Sequence, residues 1–451
     1  MTGAERAAQH VYEELLTRVG EANPRPRIEP VRRLAELAGS PQLSFPVIQV
    51  AGTNGKTSTS RAIESLLRAH GLRTGLFTSP HLVDFTERFQ LDGAPVGGNV
   101  LAEAWDELRL PLEVLDAQLE AEGQGPITFF EALAVLAFAI FADAPVDVAV
   151  IEVGMGGEWD ATNIADAQVA VFTPIDLDHT AVLGDDIETI ARTKAGIVKE
   201  SSTVVSAQQT PEAIAQIVEA AEREDARLFV SGRDFALLED RLAVGGRQVM
   251  LRGLHGHEYD PVFVPLYGGH QAQNVSLAVA AVEAFFGAER PIPEEVLGEG
   301  LGQLVSPGRL QLIGNDPVVY VDAAHNPHGA AALAAALAAE FSFTRLVGVL
   351  AVLGDKDVHG ILEALADSFD EVVVTRNSSP RSMPPAELAA LAEDVFGDGV
   401  VHVAERMDDA IALAVELAET GVEDTSGTGV VITGSVVSAG DGRALAGLGP
   451  A

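Results

Sequence analysis

The chain has 451 residues, with 66 acidic and 29 basic side chains and a net charge of −37 at pH 7. Such a surface repels nucleic acid and anionic membrane, and any phosphate site must supply its own local positive charge. The absence of cysteine excludes a disulfide scaffold, a thiolate metal site and a cysteine nucleophile.

The length suggests two or three domains. The opening Met1 to Arg6 has no apolar core of a signal peptide. The longest apolar run, Ala132 to Ala142, is far short of the roughly 20 residues that span a bilayer. A cytoplasmic protein without nucleic-acid or membrane partners is the expectation. Residues 4–40 read as two helices around a Pro-rich link, Asn23 to Ile28.

Residues 46–51 read as a strand that runs into the turn Gly52-Thr53-Asn54-Gly55. Lys56 and Thr57 then open a helix, with Ile63, Leu66 and Leu67 at helical spacing. A strand, a glycine turn and a helix N-terminus make an anion cradle, because backbone N–H groups and the helix dipole converge on it. Lys56 offers charge to β- and γ-phosphates, and Thr57 a hydroxyl to Mg2+. The strict phosphate-loop spacing needs glycine at position 50, where this chain has Val50. An ordinary capped turn is the bland alternative, and the order strand, turn, Gly-Lys-Thr, helix favours nucleotide.

A strand at 74–78 ends at Ser79-Pro80-His81, which puts Ser79 where ligands bind in open α/β sheets; a plain turn former accounts for it as well. Residues 99–122 read as a polar helix. Thr128-Phe-Phe-Glu131 opens an apolar, buried helix, and Thr-x-x-Glu is sufficient as a capping box. Val146 to Val153 is a continuous apolar strand of the kind found at the centre of a parallel sheet, with Glu152 near its end. A carboxylate there is costly unless paired or metal-bound, so Glu152 reads as a Mg2+ ligand.

A glycine-rich turn, Gly154 to Asn163, follows. The next strand, Val169 to Ile175, ends in Asp176-Leu-Asp-His179, and His179 shares a strand-end location with Ser79 and Glu152. In the helix read over Ile187 to Val198, Lys194 falls on the apolar stripe of Ile187, Ile190, Ala191 and Val198. It is one of four lysines, with Lys56, Lys199 and Lys356, against twenty-five arginines. A snorkelling lysine is one reading. The other is a lysine carbamylated by CO2 into a metal-binding anion, which arginine could not become.

Residues 203–232 continue as strand, helix, strand, and 233–267 as short strands. A helix from Gly269 to Phe286 carries Asn274, which could bond adenine or merely cap. Ser306-Pro-Gly-Arg309 reads as a hinge. Beyond it, strands at 318–321, 346–353, 372–375 and 430–433 alternate with helices, predicting a second, smaller doubly wound domain. The division falls as 1–308 and 309–451.

Eight motifs stand in order: Ala-Gly-Thr-Asn-Gly-Lys-Thr, Thr-Ser-Pro-His-Leu, Thr-Phe-Phe-Glu, Glu-Val-Gly-Met-Gly-Gly-x-Trp-Asp-Ala-Thr-Asn, Asp-His-x-x-x-Leu-Gly, Lys-Ala-Gly-Ile, Pro-Gly-Arg and Asp-Ala-Ala-His-Asn-Pro. Together, over about residues 25 to 440, they resemble the folylpolyglutamate synthase/dihydrofolate synthase family of Mur-type amide ligases. The resemblance implies an α/β fold, with a P-loop-containing, mostly parallel Mur-ligase-like N-terminal domain and a smaller Rossmann-like, glutamate-binding C-terminal domain. It implies ATP and two Mg2+ ions. It places Asn54, Gly55, Lys56 and Thr57 on phosphate and Mg2+, and Ser79, Glu152, His179 and carbamylated Lys194 on metal. Asn274, Arg309 and Asp322 match nucleotide-holding positions, with His325 beside them. Thr128, Phe130, Asp160 and Ala161 match pteroate-binding positions, and Glu131 of the same motif is grouped with them; Arg25 to Ile28 lie where family members add a further pteroate contact. Lys56, Lys194, His179 and Arg309 are the expected catalytic set.

One departure stands out: Glu158 occupies a position usually held by Arg or Lys. The implied reaction joins L-glutamate to dihydropteroate, to a reduced folate, or to both, in a monomer. Folylpolyglutamate synthesis alone is the alternative. A muropeptide ligase, a P-loop kinase and a non-catalytic nucleotide switch are the rival readings.

Overall fold

A computed structural model describes residues 2–21, 24–420 and 427–450. The Pro-rich link begins at Asn23, outside the described residues. Helices at Gly3–Leu16 and Glu29–Leu37 flank it, as the pattern predicts.

Eight strands form the first sheet: β1 (Val47–Ala51), β2 (Thr74–Phe77), β3 (Phe89–Leu91), β4 (Ala94–Pro95), β5 (Val148–Glu152), β6 (Val169–Phe172), β7 (Thr203–Ser206) and β8 (Arg227–Val230). Their order is β4-β3-β2-β5-β1-β6-β7-β8, parallel except where β3 meets β2 and β4. β1 and β5 lie at the centre and are buried along their whole length, because helices cover both faces. Phe77, Ala149 and Ile151 face the mostly apolar helix Phe129–Asp143. Leu76, Val148 and Val150 face the helices Lys56–Ala69 and Gly269–Phe285. The two-residue alternation therefore puts Glu152 on the face of the Lys56–Ala69 helix.

β9 (Ala236–Ala243), β10 (Gly246–Arg252) and β11 (Glu258–Val264) make a separate antiparallel sheet. The remaining strands are β12 (Gln311–Asn315), β13 (Val318–Val321), β14 (Arg345–Leu350), β15 (Glu371–Val374), β16 (Val401–Val403) and β17 (Thr428–Thr433). They order as β12-β13-β17-β14-β15-β16, parallel except for β12 against β13. The edge strands β4, β12 and β16, and β3 next to β4, are not expected from the sequence, since strands of two to five residues carry little apolar periodicity. The helix read to Val198 stops at Ala195, where Gly196 forms the C-cap. Among the described residues no helix is long and apolar enough to cross a membrane.

Candidate active site

The phosphate turn departs from the strict spacing for a structural reason. Val50 is still inside β1, paired with Glu152 and Val171, so the turn begins only at Gly52. Gly52 has φ +144, and a Cβ there would stand 1.9 Å from Thr173 Oγ1. Gly55 has φ +86 and lies against Asn274, whose Oδ1 would be 2.6 Å from a Cβ. Both glycines are required by close approach as well as by conformation. The helix starts at Lys56, so its free N–H groups point into the turn.

Five sequence-predicted residues meet at this point: Lys56, Thr57, Ser79, Glu152 and Lys194. Thr57 Oγ1 donates to the Glu152 carboxylate at 2.9 and 3.1 Å, and the Ser79 backbone N–H donates to it at 3.3 Å. Glu152 is 1% exposed, and burial pushes its carboxyl up despite nearby Lys56. Two ammonium groups converge on one carbonyl: Lys194 Nζ donates to Gly52 O at 2.8 Å, and Lys56 Nζ to the same oxygen at 3.2 Å and to Thr53 O at 3.0 Å. Burial first, and then the charge of Lys56, bring the Lys194 amine down to about 7. The lysine is thus 5% exposed and points into the site, so the snorkelling reading does not hold.

His179 caps the short helix Thr180–Leu183 with φ +52 and lines the main cavity. Its carboxylate neighbour is Asp178, not Glu152. Among the described residues no three His, Asp or Glu side chains gather as a ready metal cage. The oxygen donors Thr57 and Glu152, with Ser79 beside them, are hard ligands of the type Mg2+ takes, and the buried, under-neutralised Glu152 carboxylate fits a cation.

The cavity holds about 830 Å3 and runs between the two larger sheets. Thr128, Phe130, Glu131, Asp160, Ala161, Ser79 and His179 line it, as do Arg25 and Arg27 of the Pro-rich link, whereas Pro26 and Ile28 do not. The capping box is real: Thr128 N donates to Glu131 Oε2 at 2.7 Å, and Glu131 N to Thr128 Oγ1 at 3.3 Å. Glu131 also takes both arms of Arg27, at 2.8 Å each. Asp160 accepts from Met155 N and from Thr162, which holds the glycine-rich turn closed. Glu158 stays at the edge of that turn, its N–H on Thr193 O.

The nucleotide-side residues arrive from three elements. Asn274 lies inside the Gly269–Phe285 helix, so it is not the cap; its amide donates to Gln271 at 3.2 Å. Asp322, at the end of β13, accepts from Leu310 N and Ala324 N, both at 2.8 Å, and so shapes the turn bearing Arg309. His325 Nδ1 lies 2.9 Å from Ala323 O. A polar bridge between the two sheets has no signature in the sequence. Lys356 Nζ donates to Asp178 at 2.7 Å, Asn326 to Asp178 at 3.3 Å, and Asn54 to Asn326 at 3.2 Å. Burial opposes ionisation of Asp178, but His325, His179 and Lys356 outweigh it and hold the carboxyl far below its usual range. Burial keeps His179 down at about 4, and the 2.7 Å contact to Asp178 is made by Lys356. The scarcity of lysine was the one signal that could have singled out Lys356.

His81 and His270 are likewise pushed down to about 4, chiefly by burial. The unfolded chain takes up protons at these rings below about 6.5, whereas the native chain does not until about 4. Stability is therefore lost as pH falls through that window. The urea midpoint is expected to be lower at pH 5 than at pH 7, with a smaller drop when both rings are replaced by Gln.

Two family models match the chain: the Mur ligase middle domain over residues 50–282 and the Mur ligase, glutamate ligase domain over residues 308–436. With the phosphate turn at the centre of one parallel sheet and a second such sheet across the cleft, these place the protein among the Mur-type ATP-dependent amide ligases. The chain is 46% identical over 449 residues to the dihydrofolate synthase/folylpolyglutamate synthase of Mycobacterium tuberculosis, covering 95% of this chain and 92% of the relative. It is 34% identical over 390 residues to the Escherichia coli protein of the same description, covering 86% and 84%. A Mycobacterium tuberculosis folylpolyglutamate synthase complexed with ADP superposes with a TM-score of 0.93 at 45% identity, over 99% of both chains. The Escherichia coli FolC in complex with DHPP and ADP gives 0.82 at 28% identity, over 98% of this chain and 99% of that one. The chain belongs to the dihydrofolate synthase/folylpolyglutamate synthase family.

Proposed function

We propose that the protein joins L-glutamate to the carboxylate of dihydropteroate and to the γ-carboxylate of folates, using ATP, through an acyl phosphate. The observation that carries this reading is the meeting of Lys56, Thr57, Ser79, Glu152 and Lys194 beside a cavity whose wall bears Thr128, Phe130, Asp160 and Ala161.

A carboxylate is a poor electrophile and oxide a poor leaving group. An acceptor carboxylate oxygen attacks the γ-phosphorus, the bond to the β–γ bridging oxygen breaks, and ADP leaves. The glutamate amine then attacks the acyl carbon, and phosphate departs as the amide forms. The protein's part is positioning and charge neutralisation. The turn at 52–55 and the start of the Lys56 helix bind the phosphates through backbone N–H groups. Lys56 and Arg309 screen the transferred group, and Asn274 orients the base, with Asp322 and His325 setting the second sheet's side of the nucleotide.

Thr57, Ser79, Glu152, His179 and a carbamate on Lys194 would hold Mg2+. When bound, it neutralises phosphate charge and fixes the in-line geometry. The carbamate has a physical motive. Two ammonium groups on one carbonyl repel, and converting Lys194 to an anion turns that repulsion into attraction with Lys56. An amine with a pKa of about 7 is also neutral often enough to react with CO2.

The proposed division at 308/309 falls just before the six-stranded sheet, which begins at Gln311. Closure over the Arg309 turn would exclude water that otherwise hydrolyses the acyl phosphate.

ADP release, measured with dihydropteroate or a reduced folate and with or without glutamate, tests the assignment. Ligation requires all components, and a γ-linked conjugate in the product supports it; none forming overturns it. Oxygen-18 placed in the acceptor carboxylate is expected in the released phosphate. Its absence there rules out the acyl phosphate.

A further inference from the structure

Arg88 is 2% exposed, and its guanidinium is shared between two loops rather than two pieces of core. Nη1 and Nη2 donate to the two carboxylate oxygens of Glu21 at 2.7 and 3.0 Å. Nε donates to Nδ1 of His81 at 2.9 Å. Glu21 belongs to the segment after the first helix, which borders the main cavity together with Arg25 and Arg27. His81 stands two residues beyond Ser79, whose backbone N–H touches Glu152. The neighbouring Glu87 fixes the rest of that loop by accepting from the N–H groups of Leu82, Val83 and Asp84 at 2.8, 3.1 and 3.0 Å. Leu82 packs in turn against the second sheet's side. A Cβ on Gly440 would stand 2.1 Å from its carbonyl oxygen, and one on Gly308 would be 3.0 Å from its side chain.

A planar three-nitrogen fork is the one side chain that can hold a carboxylate bidentately and still reach a ring nitrogen on its third edge. The grip also fixes the His81 tautomer, since Nδ1 must carry a lone pair to accept. The cavity lip and the Ser79 loop therefore share a single anchor, and neither can shift without straining the other.

We propose that Arg88 is a positioning residue for ligation: by holding Glu21 and His81 together, it sets the acceptor cavity's lip and the Ser79 loop as one unit. This rests on the ligase reading, which is checked separately by conjugate formation in the unaltered protein. Arg88 is buried and is not among the residues that line the cavity, so it acts through the two loops.

Arg88→Lys keeps the charge but loses the fork, and Glu21→Gln keeps the shape but loses the charge. In full-length protein, both are expected to raise the pterin-acid KM and the half-saturating Mg2+ concentration at least fivefold, with the ATP KM within twofold of the parent. The double variant is expected to be no more than twofold worse than Arg88→Lys alone, because both changes break one grip. A merely structural arginine would lower kcat through lost folded protein and leave the pterin KM and the Mg2+ requirement unmoved. That pattern overturns the proposal, as do losses that multiply in the double variant. Should Arg88→Lys fail to fold, Glu21→Gln decides alone, since its side chain is 37% exposed. Unchanged pterin and Mg2+ dependence in it overturns the proposal.

Discussion

Replacing Lys194 by arginine is expected to reduce ligation by on the order of 10^3-fold or more, about 4 kcal/mol of lost transition-state stabilisation. The chain makes this the most demanding of its four lysine positions. Lys194 is buried, donates to Gly52 O at 2.8 Å, and shares that carbonyl with Lys56. Arginine preserves the positive charge and can reach a carbonyl, so a lysine that only braced the turn would be replaced at modest cost. Arginine keeps its proton and cannot form a carbamate. The fold should survive, because the apolar neighbours Ile190 and Ala191 are untouched and the charge is retained. The checks are a melting curve, steady-state ligation, and a carbon-13 carbamate resonance from labelled bicarbonate that is present in the parent and absent in the variant. Full activity in Lys194→Arg removes the modified-lysine assignment.

The second large effect is expected at Glu152, where activity and stability should move in opposite directions. Glu152→Gln is expected to lower kcat by about 10^2 to 10^3-fold, comparable to the removal of one preorganised electrostatic group from other active sites. Stability should rise. A carboxyl whose native pKa is raised is costly to fold at any pH above its unfolded value, because the unfolded chain keeps it ionised in water. The amide removes that cost while still accepting from Thr57, so a gain on the order of 1 kcal/mol is reasonable. Thermal melting and ligation measured on one preparation check both halves. A variant that is destabilised and equally impaired would make Glu152 a structural residue instead. The expected trade of stability for a charged, desolvated site is the ordinary cost of an active centre.

The bridge from Asn54 to Asn326 and from Lys356 to Asp178 gives the two larger sheets a polar contact at the mouth of the cavity. Those two pairs lie 272 and 178 positions apart in the chain. Asp178 sits beside His179, and Asn326 beside His325, so the bridge occupies the same strand ends as the expected site residues. The same short loops thus carry both the ligand-facing groups and the contact that relates the sheets.

Much of this molecule is determined by local pattern. The order strand, glycine turn, Gly-Lys-Thr and helix sets the phosphate turn, since each step is a backbone preference that acts within a few residues. The apolar runs at Val146 to Val153 and Val169 to Ile175 announce central parallel strands, and the Thr128–Glu131 box opens its helix as read. The stripe of Ile187, Ile190 and Ala191 buries Lys194 because 3.6-residue periodicity leaves it no other face. What tertiary structure alone decided is which distant groups share a charge. Arg88 with Glu21 and His81, Arg27 with Glu131, and Lys356 with Asp178 are pairings with no periodicity to betray them. Val50 is the plainest case: as a sequence position it breaks the phosphate-loop spacing, and as a residue it is ordinary strand, because hydrogen bonding to β5 and β6 extends β1 past it. Backbone preference is local and so can be read along the chain; electrostatic partnership depends on distance through space, which only the folded sheets supply.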